Sequence, residues 1–182
     1  MNRQIIRLAA CAALACVTFG LTSCKDDEKD PREFVKTSVK YRLQLNDALF
    51  KVADFYVYYL NEKGEQVKDT VRTTKWEKTF TTGKFPVRYG IYVKASLKTT
   101  YPYVADQYVD LKYQRNMDVT IYRRNGESYH VADHLWNNIK TSKKKAEIVE
   151  FINQEGPKFD YNSRILNKSG EEQWLDYPWV LN

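Results

Sequence analysis

Val87-Arg88-Tyr89-Gly90-Ile91-Tyr92-Val93-Lys94-Ala95-Ser96-Leu97 decides the fold class of this chain. Tyr89, Ile91, Val93, Ala95 and Leu97 fall on one side; Arg88, Tyr92, Lys94, Ser96 and Lys98 fall on the other. A period of two is the period of a strand, so the stretch reads as a strand buried on one face. A slip of one residue would turn the whole apolar set to water, which makes the register firm. Pro86 precedes the strand and Tyr101-Pro102 interrupts the chain after it.

The same period extends outward in both directions. Val39, Tyr41, Leu43 and Leu45 alternate with Lys40, Arg42, Gln44 and Asn46. Asp47 to Ala53 predicts a turn or a single helical turn. Phe55, Val57 and Tyr59 mark a second strand, and Asn61-Glu62-Lys63-Gly64 a hairpin turn in which Gly64 is free to take positive φ. Gln66 to Arg72 predicts a third strand, protected as a sheet edge by Lys68 and Arg72. Lys75 to Thr81, with Trp76 and Phe80, is the fourth. After the Val87 strand, Val109, Leu111 and Tyr113 mark a sixth, and Met117, Val119 and Ile121 a seventh, closed by Asn125-Gly126. Seven short strands with regular turn signals predict a mainly β chain, an antiparallel β-sandwich of immunoglobulin-like or transthyretin-like dimensions, with a small barrel as the rival. The Cys…Trp…Cys signature of true immunoglobulin domains is missing.

Beyond residue 126 the period changes. Ala146, Ile148, Val149 and Ile152 form an apolar stripe over Lys143–Gln154, which predicts a helix with Ser142 as N-cap and Gly156-Pro157 as stop. Val131 to Ile139, with Leu135 and Trp136, reads as a preceding helix. The last stretch predicts a hairpin about Asn167-Lys168-Ser169-Gly170, crowded by Tyr161, Trp174, Tyr177 and Trp179. The domain organisation expected is a leader over 1–23, a tether over 24–33, a sandwich over 34–126, and a helical extension with an aromatic tail over 127–182.

The amino terminus has the parts of a secretory leader: Arg3 and Arg7, an apolar run from Leu8 to Leu21, and small residues before Cys24. The apolar run is shorter than the ~20 residues a spanning helix needs. Leu21-Thr22-Ser23-Cys24 resembles the lipobox of bacterial lipoproteins. That resemblance implies cleavage before Cys24 and acylation of Cys24, with several chains giving stable anchoring. Lys25-Asp26-Asp27-Glu28-Lys29-Asp30 is similar to the charged export tag of surface lipoproteins of the Bacteroidetes type, which implies the outer face of the outer membrane. As a polymer, such a charged run is a solvated tether, extending to roughly 30 Å between Lys25 and Glu33.

Composition narrows the function. The formal net charge of +6 falls to +4 once Arg3 and Arg7 leave with the leader, and the remaining cations are interspersed except for Lys143-Lys144-Lys145, which a solvated helix face explains. That pattern argues against a nucleic-acid partner. Of three cysteines, Cys11 and Cys16 lie in the expected leader and Cys24 is the residue that the lipobox resemblance marks for acylation. The mature domain therefore has no disulfide, no Cys-ligated metal and no thiol nucleophile. The chain's 14 Tyr, 8 Phe and 4 Trp, of which only Phe19 lies in the leader, serve as core and strand residues, or as a stacking surface for a ligand.

His130 and His134 would share a helix face, beside Asp133, as metal ligands require. No Glu follows the first His and no third ligand is evident, so surface or capping histidines are the expectation and no cofactor is implied. Gly-x-Ser-x-Gly and phosphate-binding glycine loops are absent, which leaves a small hydrolase as the least supported class. Trp136, Trp174, Tyr177 and Trp179 are the candidate ligand-binding residues, because flat rings pack against sugar faces while polar groups hold hydroxyls. The expected function is a lipid-anchored, non-catalytic binding protein that holds glycans. Its partners would be the membrane through Cys24, a polysaccharide or an outer-membrane protein complex. The alternative is a structural or adhesive subunit that pairs an edge strand with another chain.

Overall fold

The computed structural model describes residues 29–100, 109–141, 162–175 and 179–180, with side chains for all of these except 109–110, 132–141, 162–163 and 175. Cys24 and the stretch Lys143–Gln154, expected to be a helix capped by Ser142, lie outside the described residues. Pro31–Asn182 forms one compact unit.

The chain is mainly β, in two antiparallel sheets. In order along the chain the elements are β1 (Phe34–Leu45), α1 (Asp47–Val52), β2 (Ala53–Leu60), β3 (Gln66–Thr70), β4 (Lys75–Thr82) and β5 (Val87–Leu97). They continue with β6 (Val109–Arg123), β7 (Ser128–Thr141), β8 (Asn162–Leu166) and β9 (Glu172–Leu175). One sheet has the order β4-β1-β6-β7 and the other β3-β2-β5-β8-β9. Tyr41 and Leu43 of β1, Met117 and Val119 of β6, Phe55 and Val57 of β2, and Ile91 and Val93 of β5 belong to one hydrophobic cluster. Both sheets thus contribute their apolar faces to the same core.

The passage between sheets is local chemistry. Asn46 caps α1 by accepting from Leu49 N at 3.1 Å, and the same oxygen accepts from Lys112 N at 3.1 Å on β6. Leu49 and Val52 are buried. One side chain thereby ends β1, starts the helix and holds β6 beside it. β3 lies at a sheet edge, where its charge pattern placed it.

Three hairpin turns use one device. Asn61 N, Arg123 N and Asn167 N each donate to a carbonyl four residues on (Glu65, Glu127, Glu171), with Gly64, Gly126 and Gly170 at positive φ just before it. This is the turn-plus-left-handed-glycine geometry that matches strand twist.

Three expectations are corrected. The sixth and seventh strands are one fifteen-residue strand, β6. Leu111, Tyr113, Met117, Val119 and Ile121 are all in phase, and the polar Arg115 between them is itself only 2% exposed. The apolar run is interrupted, but the period is not. Val131–Ile139 is strand, not helix: β7 pairs with β6 from Tyr122↔Ser128 to Val109↔Thr141. The helical spacing of Val131, Leu135 and Ile139 yields because β6 offers a continuous row of backbone donors and acceptors, which must be paired. The boundary set at 126/127 is therefore not a domain boundary. It falls in the β6–β7 hairpin, and β7, β8 and β9 are all sheet strands.

Glu33 closes the end of the fold where the chain enters. Its carboxylate takes Arg124 from the β6–β7 turn and Lys168 from the β8–β9 turn. Those two cations hold its pKa down from 4.5 to about 2. A depressed carboxylate contributes stability that is complete above the ordinary value and lost as pH falls through the folded one. Stability is expected to fall between pH 4.5 and about 2. Glu33→Gln should flatten the denaturant midpoint against pH in that window, and an unchanged profile would remove Glu33 from the acid response.

Candidate functional site

The β8–β9 hairpin builds the most prominent exposed feature. Residues opposite one another across a ladder share a face. Tyr89↔Arg164 and Arg164↔Trp174 therefore put Tyr89, Arg164 and Trp174 in one row, on the side of the sheet that carries the core. Tyr89 is buried, whereas Trp174, on the edge strand, is 67% exposed. The Arg164 guanidinium lies 4.1 Å from the centroid of the indole. Arg164 Nη1 donates to Glu172 Oε2 at 2.9 Å, and Tyr89 Oη donates to Glu172 Oε1. Burial raises the pKa of Glu172 above its ordinary value. The chain Tyr89–Glu172–Arg164–Trp174 thus runs from the core to the surface and holds a large exposed ring in one place. Fixing a ring before a ligand arrives removes part of the entropy cost of binding.

The other predicted residues divide. Trp179 is half-buried and stacks on Tyr92 of β5, centroids 6.2 Å apart and planes at 29°. Val180 N donates to Gln66 Oε1 at 3.0 Å, and Gln66 Nε2 donates to Val180 O at 2.6 Å. Trp179 therefore packs against the sheet, covering Tyr92, which itself packs edge-on to Tyr58. Trp136 sits in β7 opposite Gln114, and its side chain lies outside the described residues, as does Tyr177. Among the described residues the two tail tryptophans do not share a surface: Trp174 faces the core side and Trp179 the opposite side.

His130 is exposed, with Nδ1 3.3 Å from Thr120 Oγ1 and Nε2 3.7 Å from Asp118 Oδ1. His134 lies opposite Asn116 in β7, its side chain outside the described residues. A strand rises about 3.3 Å per residue, so positions 130 and 134 are roughly 13 Å apart. The one-turn spacing that motivated a metal pair belongs to a helix and is absent. Among the described residues no group of three or more His, Cys, Asp or Glu is placed to hold a metal. Among them, too, no helix is long and apolar enough to cross a membrane.

A second aromatic feature escaped the sequence reading. Trp76 borders an open cleft of about 600 Å³ with Lys68, Asp69, Arg72 and Lys78. Its Nε1 donates to Asp69 Oδ2 at 3.1 Å, and its ring is 5.5 Å from that of Tyr59. The indole is partly buried against the core, which makes it first a closure of the sheet edge. The signal available in sequence was a lone Trp on a charged strand, and nothing local separates that from packing. Comparison with protein-family models, with curated proteins and with solved structures finds no match.

Proposed function

We propose that this chain is a lipid-anchored protein of the outer-membrane surface that binds glycans without catalysis. The anchor is Cys24, and Trp174 is the stacking platform. The observation that carries the binding reading is the Arg164-backed indole, exposed yet fixed through Glu172 to the buried Tyr89. A sugar ring stacked on the open face would meet polar side chains beside it, as ligand sites require. The two sheets read best as a sandwich of the transthyretin-like kind. What supports this over the immunoglobulin-like kind is that β1 and β2 belong to different sheets, whereas the first two strands of an immunoglobulin constant domain share one.

The test is affinity electrophoresis of residues 25–182 through gels containing individual polysaccharides, alongside palmitate labelling of the full chain and of Cys24→Ser. Retardation by a glycan should be lost in Trp174→Ala with the fold intact, and weakened in Glu172→Gln, which frees Arg164. Trp179→Ala should lower stability by about 1–3 kcal/mol through lost burial and leave retardation in place. No retardation by any glycan overturns the binding reading; no label dependent on Cys24 overturns the anchor.

A structural or adhesive subunit is the second reading. It is favoured by the fourteen-residue β7 at a sheet edge and by Trp174 on the core side of edge strand β9, where an added strand would cover it. Cross-linking on intact cells that captures a partner through β9, with no glycan retardation, would select it.

A further inference from the structure

Three cations converge at the end of the fold where the chain enters. Lys63 lies in the β2–β3 turn, Lys84 in the β4–β5 connection and Arg88 near the start of β5. With Glu62 and Thr82 they line a cleft of about 420 Å³. Gly64 lets the arginine in: a Cβ there would stand 3.3 Å from Arg88 Cβ and Cδ. Among the described residues, Lys63, Lys84 and Arg88 have no ion-pair partner. Three positive charges that share one opening, with one acid nearby, leave a local field that favours an anion. A guanidinium offers the fork of donors that carboxylates and phosphates fit.

The position of the cleft indicates the source of that anion. β1 begins at Phe34, directly after the tether, and Thr37 pairs with Thr82, the last residue of β4. A Cβ on Gly83 would stand 3.2 Å from Val35 O. Lys84 and Arg88 therefore lie at the end of the sheets nearest to the attachment of the tether from Cys24. In a lipid-anchored protein that end is held within the tether's reach of the bilayer surface.

We infer that this cleft is an anion site for the phosphate of net-anionic membrane lipid headgroups, docking the anchored domain on its own membrane. The choice of a lipid phosphate rests on the lipoprotein reading above; the anion site rests on the cleft. Each basic residue held at an anionic surface is worth about fivefold in partition, or roughly a hundredfold for three if they add.

The experiment is cosedimentation of residues 25–182 with phosphatidylcholine vesicles, with or without phosphatidylglycerol, and with inorganic phosphate as competitor. Binding is expected only with phosphatidylglycerol, reduced by phosphate and about a hundredfold by Lys63→Gln/Lys84→Gln/Arg88→Gln. The matched triple Lys51→Gln/Arg72→Gln/Lys75→Gln, at the opposite end, should change it little. Equal loss in both triples would mean net charge alone, and no binding to anionic vesicles would mean no site; either overturns the proposal. Binding to an acidic polysaccharide but not to vesicles would reassign the cleft to a glycan and overturn it as well. The protein used here carries no lipid, so a failed palmitate label and a failed vesicle assay are separate results.

Discussion

Tyr41→Phe is expected to lower the unfolding free energy by about 2–3 kcal/mol, although the ring that fills the core is kept. Tyr41 is on β1, fully buried, and its hydroxyl crosses to the opposite sheet. There it donates to Leu60 O at 3.0 Å and accepts from Gly90 N at 3.1 Å. The β2–β5 ladder runs to Tyr59↔Ile91, and the next two residues, Leu60 and Gly90, are linked through this hydroxyl. Burial pushes the phenol's pKa well above its ordinary value, so it stays a neutral donor across the working range. Removing it strands one buried acceptor and one buried donor. Denaturant unfolding measures the loss, and the thermal midpoint should fall by roughly 5–10 °C. A loss below about 0.5 kcal/mol would mean that Leu60 and Gly90 close on each other once the hydroxyl is gone. Tyr41→Ala adds a cavity term of about 3–5 kcal/mol, which reaches the whole stability of many domains.

Gly170→Ala should cost about 3 kcal/mol or more, against about 1–2 kcal/mol for Gly126→Ala. The two glycines have nearly the same backbone, φ +89 and φ +90. They differ in what surrounds them. A Cβ on Gly126 meets nothing within 4 Å, whereas one on Gly170 would stand 2.2 Å from Cε2 and 2.8 Å from Cζ of Phe34. Phe34 is buried at the start of β1, edge-on to Tyr129 at 6.2 Å. It is a ring locked in a core, not a flexible tip that swings aside. The difference between the two variants isolates packing from backbone strain, and equal losses would show that Phe34 has room to move. Gly170 also positions the hairpin that carries Trp174. Glycan retardation in Gly170→Ala should therefore weaken together with stability, while Gly126→Ala leaves it unchanged.

Most strands were legible because alternation is written into neighbouring residues. Tyr89 to Leu97 and Val39 to Leu45 present their apolar sides whatever the rest of the chain does. The terminal hairpin was legible through Asn167-Lys168-Ser169-Gly170, where turn chemistry is local. The candidate site was legible only in part. Trp174 and Trp179 look alike in sequence, two rings five residues apart. One stands exposed on the edge strand and the other stacks on Tyr92, and that difference rests on partners up to 87 positions away. The Tyr89–Glu172 contact that fixes the platform spans 83 residues and leaves no mark on either neighbourhood.

What the sequence by itself determined is the class of structure: paired, half-buried strands joined by glycine turns. Side-chain period and turn geometry depend on the nearest few residues, so no distant partner is needed to read them. The tertiary structure decided the rest. It carried β6 straight through Arg115, because the ladder continues where the apolar run stops. It made Val131–Ile139 a strand, because the unpaired backbone of β6 outweighs a short helical pattern. It also set one tryptophan at the surface and one against the sheet. Each of these outcomes is fixed by groups that meet only after the chain has folded, and free energy follows contact, not order along the chain.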